Sequence, residues 1–530
     1  MWQIGWREQV WSQLNRKWDL IVIGGGITGA GILREARRAG LRTLLLEAND
    51  FAFGTSSRSS KLVHGGFRYI RNFQFNVTAE SVKERERLLR EAPNLVTPLQ
   101  FIIAHRKSDR SPGWKFGLGV FIYDLLAAKW AHGHYDPRQL QEIAPELSQE
   151  QLLGSHWYYD AHVDDARMVL RLIREAVAAG GAALNYAPVE KLLKNSAGEV
   201  CGVVVGDRGP QADGRTQEIQ AAVVISAVGP WTDEVRAHVG AEARLRKSRG
   251  SHLLFARSRF PIHQAFTLLH PSDNRVMFAI PWEGVIIVGT TDLDHAPALE
   301  QSQPEPSIQS NEVEYLLEAI RYSFPALGLT VGDIRSTFAG LRPIVNTGKA
   351  DPSKESRAHV ILQENGLISV AGGKLTTYRL MAHQALSAVR ARFSSSPSFD
   401  QRLPTFNALP EIHPNTPVEA VALARLLGRH GADTISLLSS SKAGELEPIG
   451  ELPTLWAELR WAARDEGVVH LDDLLLRRVR LGLLAPNGGL EQIERIRAIA
   501  QPELGWDNTR WKQEVASYTK LWKQCYSLPG

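Results

Sequence analysis

Cysteine is nearly absent from this 530-residue sequence, which holds only Cys201 and Cys525. Two cysteines so far apart, in no metal-ligand spacing, argue against a disulfide framework and are typical of a reducing compartment. An excess of one charge is also lacking, because 61 basic side chains stand against 57 acidic ones and leave a net charge of +4. A net charge this small predicts no nucleic-acid partner.

Long hydrophobic runs are missing as well. Nowhere are there about 18 consecutive apolar residues, the length that a membrane-spanning helix needs. The nearest candidate, residues 116–128, is interrupted by Asp124, and the N-terminus is broken by charges such as Arg7 and Arg16 where a signal peptide would be apolar. We therefore expect no integral membrane segment.

Tryptophan, by contrast, is concentrated near the N-terminus, at Trp2, Trp6, Trp11 and Trp18. Trp2, Trp6, Val10 and Leu14 recur at every fourth position. This spacing makes residues 1–17 an amphipathic segment with one apolar helical face. Two interpretations stay open here. The face packs on the protein's own core, or it contacts a membrane surface.

A strand, a glycine-rich turn, a helix and a second strand follow in the pattern of a βαβ unit. The first strand is residues 19–23, and the second ends at Glu47. Gly24, Gly26 and Gly29 fit the Gly-x-Gly-x-x-Gly pattern, in which a helix N-terminus receives a pyrophosphate and a carboxylate at the end of the second strand binds a ribose. The alternative is an ordinary strand-helix turn with a chance acidic residue.

A second glycine-bearing strand end lies far downstream, in residues 366–378, and opens directly into a helix. A second helix N-terminus suits the negative charge that a reduced flavin develops, so FAD is favoured over NAD. Residues 251–293, 334–342 and 358–370 alternate and turn back as an antiparallel sheet would.

The predicted fold class is therefore α/β, with a Rossmann-like FAD-binding domain interleaved with an antiparallel-sheet substrate domain, plus a C-terminal all-helical domain. The FAD-binding domain takes residues 18–75, 150–245 and 345–395, and the substrate domain takes residues 76–149 and 246–344. A linker rich in serine and proline spans residues 396–416, and the helical domain spans residues 417–530.

Several motifs stand in collinear order along the chain: residues 55–69, 247–252, 280–282, 289–292, 340–343 and 372–378. Together they resemble one family, the FAD-dependent glycerol-3-phosphate dehydrogenases and their oxidase relatives. The likeness runs from about Trp18 to Ala382, and residues 472–482 look like that family's extra domain. The resemblance implies an enzyme that oxidises sn-glycerol 3-phosphate to dihydroxyacetone phosphate, with hydride passing to flavin N5.

The resemblance also implies site residues. His64 is the favoured catalytic base, with His252 close behind, and Arg342 orients and stabilises the alkoxide. The expected substrate-binding residues are Arg68, Tyr69, Arg342, Arg357 and Lys374. The expected cofactor-binding residues are Gly24, Gly26, Thr28, Gly29, Glu47, Thr55, Ser56, Ser57, Lys61, Leu62, Gly65, Gly229, Gly373, Lys374, Leu375 and Thr376. No metal is expected.

The partners implied are membrane quinone as electron acceptor and the inner face of the cell membrane, to which a cytoplasmic enzyme would bind peripherally. A homodimer stays open. The nearest rival function is an oxidase that passes electrons to oxygen and makes hydrogen peroxide. A flavin amine or amino-acid oxidase and a flavin-binding protein without turnover are lower alternatives, because the arginines at positions 68, 342 and 357 favour a phosphate substrate.

Overall fold

The computed structural model describes most of the chain. The described residues are 2–66, 75–107, 117, 119, 121, 123, 131–210, 212–296, 305–348, 355, 358–395, 397–413 and 416–529. Of the sequence-predicted site residues, Arg68, Tyr69 and Arg357 lie outside this part.

Both strands and helices occur up to residue 388, and in the described residues beyond it the named elements are helices. The strands are β1 (Trp18–Ile23), β2 (Thr43–Leu46), β3 (Leu62–Val63), β4 (Val96–Arg106), β5 (His132–Tyr135), β6 (Leu152–Val163), β7 (Ala182–Leu184), β8 (Val189–Lys194), β9 (Val200–Gly206), β10 (Thr216–Ser226), β11 (Leu245–Ala256), β12 (Ala265–Leu269), β13 (Val276–Trp282), β14 (Val285–Gly289), β15 (Leu293–Asp294), β16 (Ile334–Val345), β17 (His359–Glu364) and β18 (Leu367–Gly372). The α-helices are α1 (Trp6–Trp11), α2 (Ile27–Arg38), α3 (Phe75–Glu91), α4 (Pro137–Ile143), α5 (Asp165–Ala178), α6 (Thr232–Ala237), α7 (Ser310–Ser323), α8 (Tyr378–Ala388), α9 (Ala420–His430), α10 (Asp433–Ser439), α11 (Trp456–Asp465), α12 (Leu481–Leu484), α13 (Ile493–Leu504) and α14 (Asn508–Cys525).

The first sheet is the predicted nucleotide-binding sheet. Its main path runs β17-β18-β10-β1-β2-β7, and β18, β10, β1, β2 and β7 are parallel. Ile21 at the centre pairs with Val224 on one side and with Leu44 on the other. Where these strands pair with one another they are mostly apolar, because helices α2, α5 and α8 help to enclose them in one core cluster.

The second sheet has ten strands and is largely antiparallel. Its main path runs β15-β11-β14-β13-β12-β4-β6-β3, with β16 beside β11 and β5 beside β6. The predicted interleaving of a parallel and an antiparallel unit is thus confirmed. Strands β3 and β6 lie in ranges assigned to the FAD-binding domain but belong to the second sheet, where β6 pairs with β4 from Val163 to Leu152. The chain returns to the first unit only where α5 begins.

The N-terminal tryptophans pack on the protein itself. Trp2, Trp6, Leu14 and Trp18 are buried, and the Trp2 ring stacks on Phe51 at 5.2 Å between centroids. These side chains pack on the protein's own core, as the first interpretation expects, although Val10 and Trp11 are only partly buried. Contact of this segment with a membrane surface stays a prediction. In the described part of the chain, no helix has the length and apolar character needed to cross a bilayer.

The C-terminal region is helical, as predicted, and its helical path is interrupted within residues 471–484. Residues 471–484 form a π-helix over Asp473–Arg478 and then α12, and between them Arg480 adopts a left-handed backbone with φ of 64°. Residues 397–413, within the expected linker, contain neither helix nor strand. The exact domain boundaries remain predictions.

Buried ion pairs join this helical region to the rest of the protein. Arg477 and Arg478 donate to the Asp50 carboxylate at 2.5 to 2.8 Å. Arg480 donates to Asp164 at 2.9 Å and also to Asp165. Burial would raise the pKa of Asp50, but the charges of Arg478 and Arg477 lower it to about 2. We call these six residues the arginine interface.

Candidate active site

The glycine turn after β1 has the shape that its sequence predicts. Gly24 has φ of 107°, and a Cβ atom there would lie 2.6 Å from the carbonyl oxygen of Ala227. At Gly29 a Cβ would lie 1.9 Å from the carbonyl oxygen of Gly24, so α2 can approach the strand only with glycine here. At Gly26 a Cβ would lie 3.1 Å from Ser56 Oγ. The turn is therefore open for close approach of a pyrophosphate to its backbone.

Glu47 stands at the end of β2, where a dinucleotide ribose is expected. Its carboxylate accepts hydrogen bonds from the backbone N–H groups of Gly25 at 2.6 Å and Asn49 at 2.8 Å. Burial raises the pKa of Glu47, while these hydrogen bonds oppose the shift. The hydrogen bond from Gly25 therefore holds the Glu47 carboxylate beside the glycine turn, where it can bind a ribose.

A cavity of about 680 Å³ begins at this turn and extends to the second sheet. It brings together most of the predicted residues from distant parts of the chain. The lining includes Gly24, Gly26, Thr28, Glu47, Thr55, Ser56, Leu62, His64, Gly229, His252, Arg342, Gly373, Lys374, Leu375 and Thr376. The glycine cradle at one end and the Gly372–Gly373 turn at the other fit an extended dinucleotide such as FAD.

Four predicted cofactor residues are not among those that line the cavity: Gly29, Ser57, Lys61 and Gly65. Lys61 is fully buried, and its ammonium group donates to the Ser57 carbonyl at 2.6 Å and to Asp165 at 2.8 Å. Burial lowers the pKa of Lys61 to about 8, although Asp165 opposes this. The side chain of Lys61 therefore serves an internal ion pair.

Arg342 lies on β16 at the substrate end of the cavity. Its guanidinium group donates to Thr290 Oγ1 at 2.8 Å and to the Thr291 carbonyl at 3.3 Å, and 24% of the side chain remains exposed. Gly250, opposite Gly340 on β11, leaves the space that this group fills, because a Cβ there would lie 2.0 Å from its Nη2 atom. The glycine and the arginine are thus one packing unit.

Sequence reasoning missed a second arginine, Arg275, which also lines the cavity. It stands just before β13 and donates to the Asp292 carbonyl at 3.0 Å. The guanidinium groups of Arg275 and Arg342 therefore converge on residues 290–292. An arginine directly before an apolar strand was the only signal, and many surface arginines share it.

The two predicted histidines occupy different environments. His64 is half-buried, and its backbone N–H donates to Thr376 Oγ1 at 3.2 Å, which ties together two motifs far apart in sequence. His252 is buried, its ring stacks on Phe338 at 4.4 Å, and its Nε2 shares a hydrogen bond of 2.8 Å with Ser60 Oγ.

Burial, and then the positive charges of Arg342 and Lys61, lower the pKa of His252 well below its usual range. The lowered pKa favours the neutral imidazole, which is the form that can accept a proton.

Lys374 brings positive charge to the other side of the cavity. Its ammonium group donates to Ser81 Oγ at 2.7 Å. The residue precedes the short 3₁₀ turn of residues 375–377, which leads directly into α8. A cation and the N-terminal end of a helix thus face the same region, as the sequence predicts.

The parallel sheet, glycine turn and continuous cavity define a dinucleotide-binding oxidoreductase. Residues 19–379 match the family model of FAD dependent oxidoreductases, and residues 384–511 match the model of the C-terminal domain of alpha-glycerophosphate oxidase.

Individual relatives give the group within that class. Glycerol-3-phosphate dehydrogenase 2 of Mycobacterium tuberculosis is 34% identical over 97% of this chain and 89% of its own. Aerobic glycerol-3-phosphate dehydrogenase of Bacillus subtilis is 36% identical over 73% of this chain and 69% of its own. The crystal structure of glycerol-3-phosphate dehydrogenase from Bacillus halodurans complexed with FAD superposes with a TM-score of 0.79 at 29% identity, over 99% of this chain and 98% of that one. The chain belongs to the family of FAD-dependent glycerol-3-phosphate dehydrogenases, so FAD is its cofactor.

Proposed function

We propose that this enzyme oxidises sn-glycerol 3-phosphate to dihydroxyacetone phosphate. One observation carries the proposal: the cavity that begins at the dinucleotide turn ends among Arg342, Lys374, His64 and His252. Fixed cations suit a phosphate dianion, and imidazoles suit the removal of a hydroxyl proton. The names of the relatives support the same substrate.

The cationic groups of the cavity bind the phosphate. Arg342 and Arg275 both present guanidinium groups to the cavity, and a guanidinium can donate two parallel hydrogen bonds to phosphate oxygens. Arg68, Tyr69 and Arg357 are proposed as further substrate-binding residues on motif position alone.

His64 is our proposed base, because it lines the cavity and is only half-buried. It takes the proton from the hydroxyl on the second carbon, while Arg342 stabilises the alkoxide that forms. Bound FAD supplies the hydride acceptor at its N5 atom. Lys374 adds fixed positive charge near the cofactor, and His252 is the alternative base.

For the electron acceptor we propose quinone, reached by peripheral binding of a cytoplasmic enzyme to the inner membrane face. The two relatives above are named dehydrogenases rather than oxidases, which favours an acceptor other than oxygen. Three of the four N-terminal tryptophans, Trp2, Trp6 and Trp18, give it no support, because they are buried. A homodimer stays a prediction.

The test is anaerobic titration of the holoenzyme with sn-glycerol 3-phosphate. We expect the flavin absorbance to bleach and to return when a quinone is added. Failure to bleach would overturn the proposed reaction. Equally fast return with air alone, with stoichiometric hydrogen peroxide, would identify oxygen as the acceptor.

A further inference from the structure

A short loop, residues 57–61, carries one hydroxyl into the active site. Ser60 lines the cavity, and its Oγ shares the hydrogen bond of 2.8 Å with Nε2 of His252. Among the described residues, Ser60 is thus the hydrogen-bond partner of the His252 ring nitrogen that faces the loop. The position of Ser60 therefore sets the orientation of the imidazole.

The loop is held from behind by one carboxylate, that of Asp165. It accepts from the Ser59 backbone N–H at 3.0 Å, from Ser59 Oγ at 2.7 Å and from Lys61 Nζ at 2.8 Å. Asp165 is fully buried and thus has no solvent to replace these partners. The two neighbours of Ser60, Ser59 and Lys61, are therefore both fixed by the Asp165 carboxylate.

The C-terminal helical region supplies the counter-charge from the other side. Arg480 is 1% exposed and donates to Asp165, to Asp164 at 2.9 Å and to the Ser57 carbonyl at 3.3 Å. Its left-handed backbone, between the π-helix and α12, turns the side chain out of the regular helix path. Arg480 therefore meets the loop at its first residue and at its anchoring carboxylate.

We propose that Arg480 is a positioning residue for the active site, which acts through Asp165 and Ser60 on His252. This rests on the proposed function. Two adjacent buried carboxylates stay charged and fixed only if cations meet them, and Arg480 binds both. Without the several hydrogen bonds of the Arg480 guanidinium group, Asp165 and the loop shift. A displacement of about 1 Å in an active site lowers the catalytic rate by up to about 100-fold.

Arg480→Lys keeps the positive charge but removes the guanidinium group and its several donors. Arg460→Lys is the matched control, since Arg460 is also buried and meets two carboxylates, Glu445 and Glu503, both within the C-terminal region. Each variant is purified with FAD and assayed anaerobically for the rate constant of flavin reduction at saturating sn-glycerol 3-phosphate, with hydrogen exchange followed over residues 57–66.

We expect Arg480→Lys to reduce its flavin about tenfold or more slowly, with FAD retained, and to exchange faster over residues 57–66. Arg460→Lys should match the unaltered enzyme in both measurements, even where both variants lower the unfolding temperature equally. Equal reduction rates and equal exchange in the two variants would overturn the inference. Asp165→Asn, which keeps an oxygen acceptor for Ser59, is the second variant and should resemble Arg480→Lys.

The last link is tested at Ser60 itself. Ser60→Ala should slow flavin reduction about tenfold, and Ser60→Thr, which restores the hydroxyl, should recover most of the rate. An alanine variant as fast as the unaltered enzyme would also overturn the inference. If the unaltered holoenzyme is not bleached by the substrate, the proposed function fails, whereas the exchange data still test the link from Arg480 to the loop.

Discussion

The wall of the cavity and the arginine interface are both rich in arginine, but they use it differently. In the wall, Arg342 donates mainly to a hydroxyl and a carbonyl and keeps a quarter of its side chain exposed. At the interface, Arg478 is fully buried and binds both carboxylate oxygens of Asp50. Guanidinium groups of the first kind can still receive an anion, while those of the second kind hold two parts of the protein together.

The difference teaches where charge is available for chemistry. A buried bidentate pair is neutralised, and breaking it leaves a carboxylate in a site without water. A partly exposed arginine held mainly by a hydroxyl and a carbonyl, with its carboxylate neighbour Asp292 at 3.4 Å, keeps positive charge for a ligand. Arg480 connects the two regions, because its carboxylate partner Asp165 also anchors the loop that carries Ser60.

The largest expected effect comes from breaking the interface. Arg478→Met leaves Asp50 with Arg477 and the Asn185 amide and should lower the free energy of unfolding by about 3–5 kcal/mol. Denaturant unfolding measures this loss. Arg246→Met, which removes a surface ion pair with Asp294, is the control and should lose no more than about 1 kcal/mol. Similar losses in the two variants would contradict the assignment of Arg478 to structure.

The next effect comes from the cavity wall. Arg342→Ala should lower the rate constant of flavin reduction by about 100- to 1000-fold, because it removes a donor to the developing alkoxide. The unfolding temperature should fall only slightly, because the two nearest partners of Arg342 are a hydroxyl and a carbonyl, and its contact with the Asp292 carboxylate is longer, at 3.4 Å. Near-normal reduction by Arg342→Ala would remove this residue from the proposed mechanism.

A third kind of buried group is kept uncharged. Burial, and then the nearby charges of Arg379, Arg38 and Arg87, lower the pKa of His383 to about 4. The unfolded chain then binds the proton more tightly than the folded protein does. Above about pH 6.5 this histidine leaves the free energy of unfolding unchanged, and as the pH falls towards 4 it lowers that free energy by at most about 3 kcal/mol. His383→Gln should flatten the stability profile in that window, measured by denaturant unfolding at several pH values. An unchanged slope would mean that His383 keeps its ordinary pKa.

The smallest effect concerns the glycine turn. Gly26→Ala would place a Cβ 3.1 Å from Ser56 Oγ, on the surface that a pyrophosphate approaches, so FAD affinity should fall about tenfold. Gly332→Ala is the control, because a Cβ there meets only Thr330 Oγ1 at 3.6 Å and the site lies away from the cavity. Fluorescence titration of the apoprotein with FAD would show the difference, and equal affinities would place the pyrophosphate elsewhere.

Local patterns sufficed for the glycine turn, the parallel core strands and the helical C-terminal region. Each depends on residues close together in sequence, such as Gly24 and Gly29. The sequence could not show that Lys61 faces Asp165 rather than the cavity, because motif position does not fix the direction of a side chain. Arg275 and Ser60 were missed for a related reason: their partners, Asp292 and His252, are distant in sequence and meet them only in the folded sheet.

The measurement that tests the account most directly is anaerobic bleaching of bound flavin by sn-glycerol 3-phosphate, run side by side on three proteins with equal FAD content. We predict rapid bleaching of the unaltered enzyme and of Arg478→Met, and bleaching slower by about 100-fold or more in Arg342→Ala. No bleaching of the unaltered enzyme, or equal rates in Arg342→Ala and Arg478→Met, would contradict the separation of reactive from structural arginines.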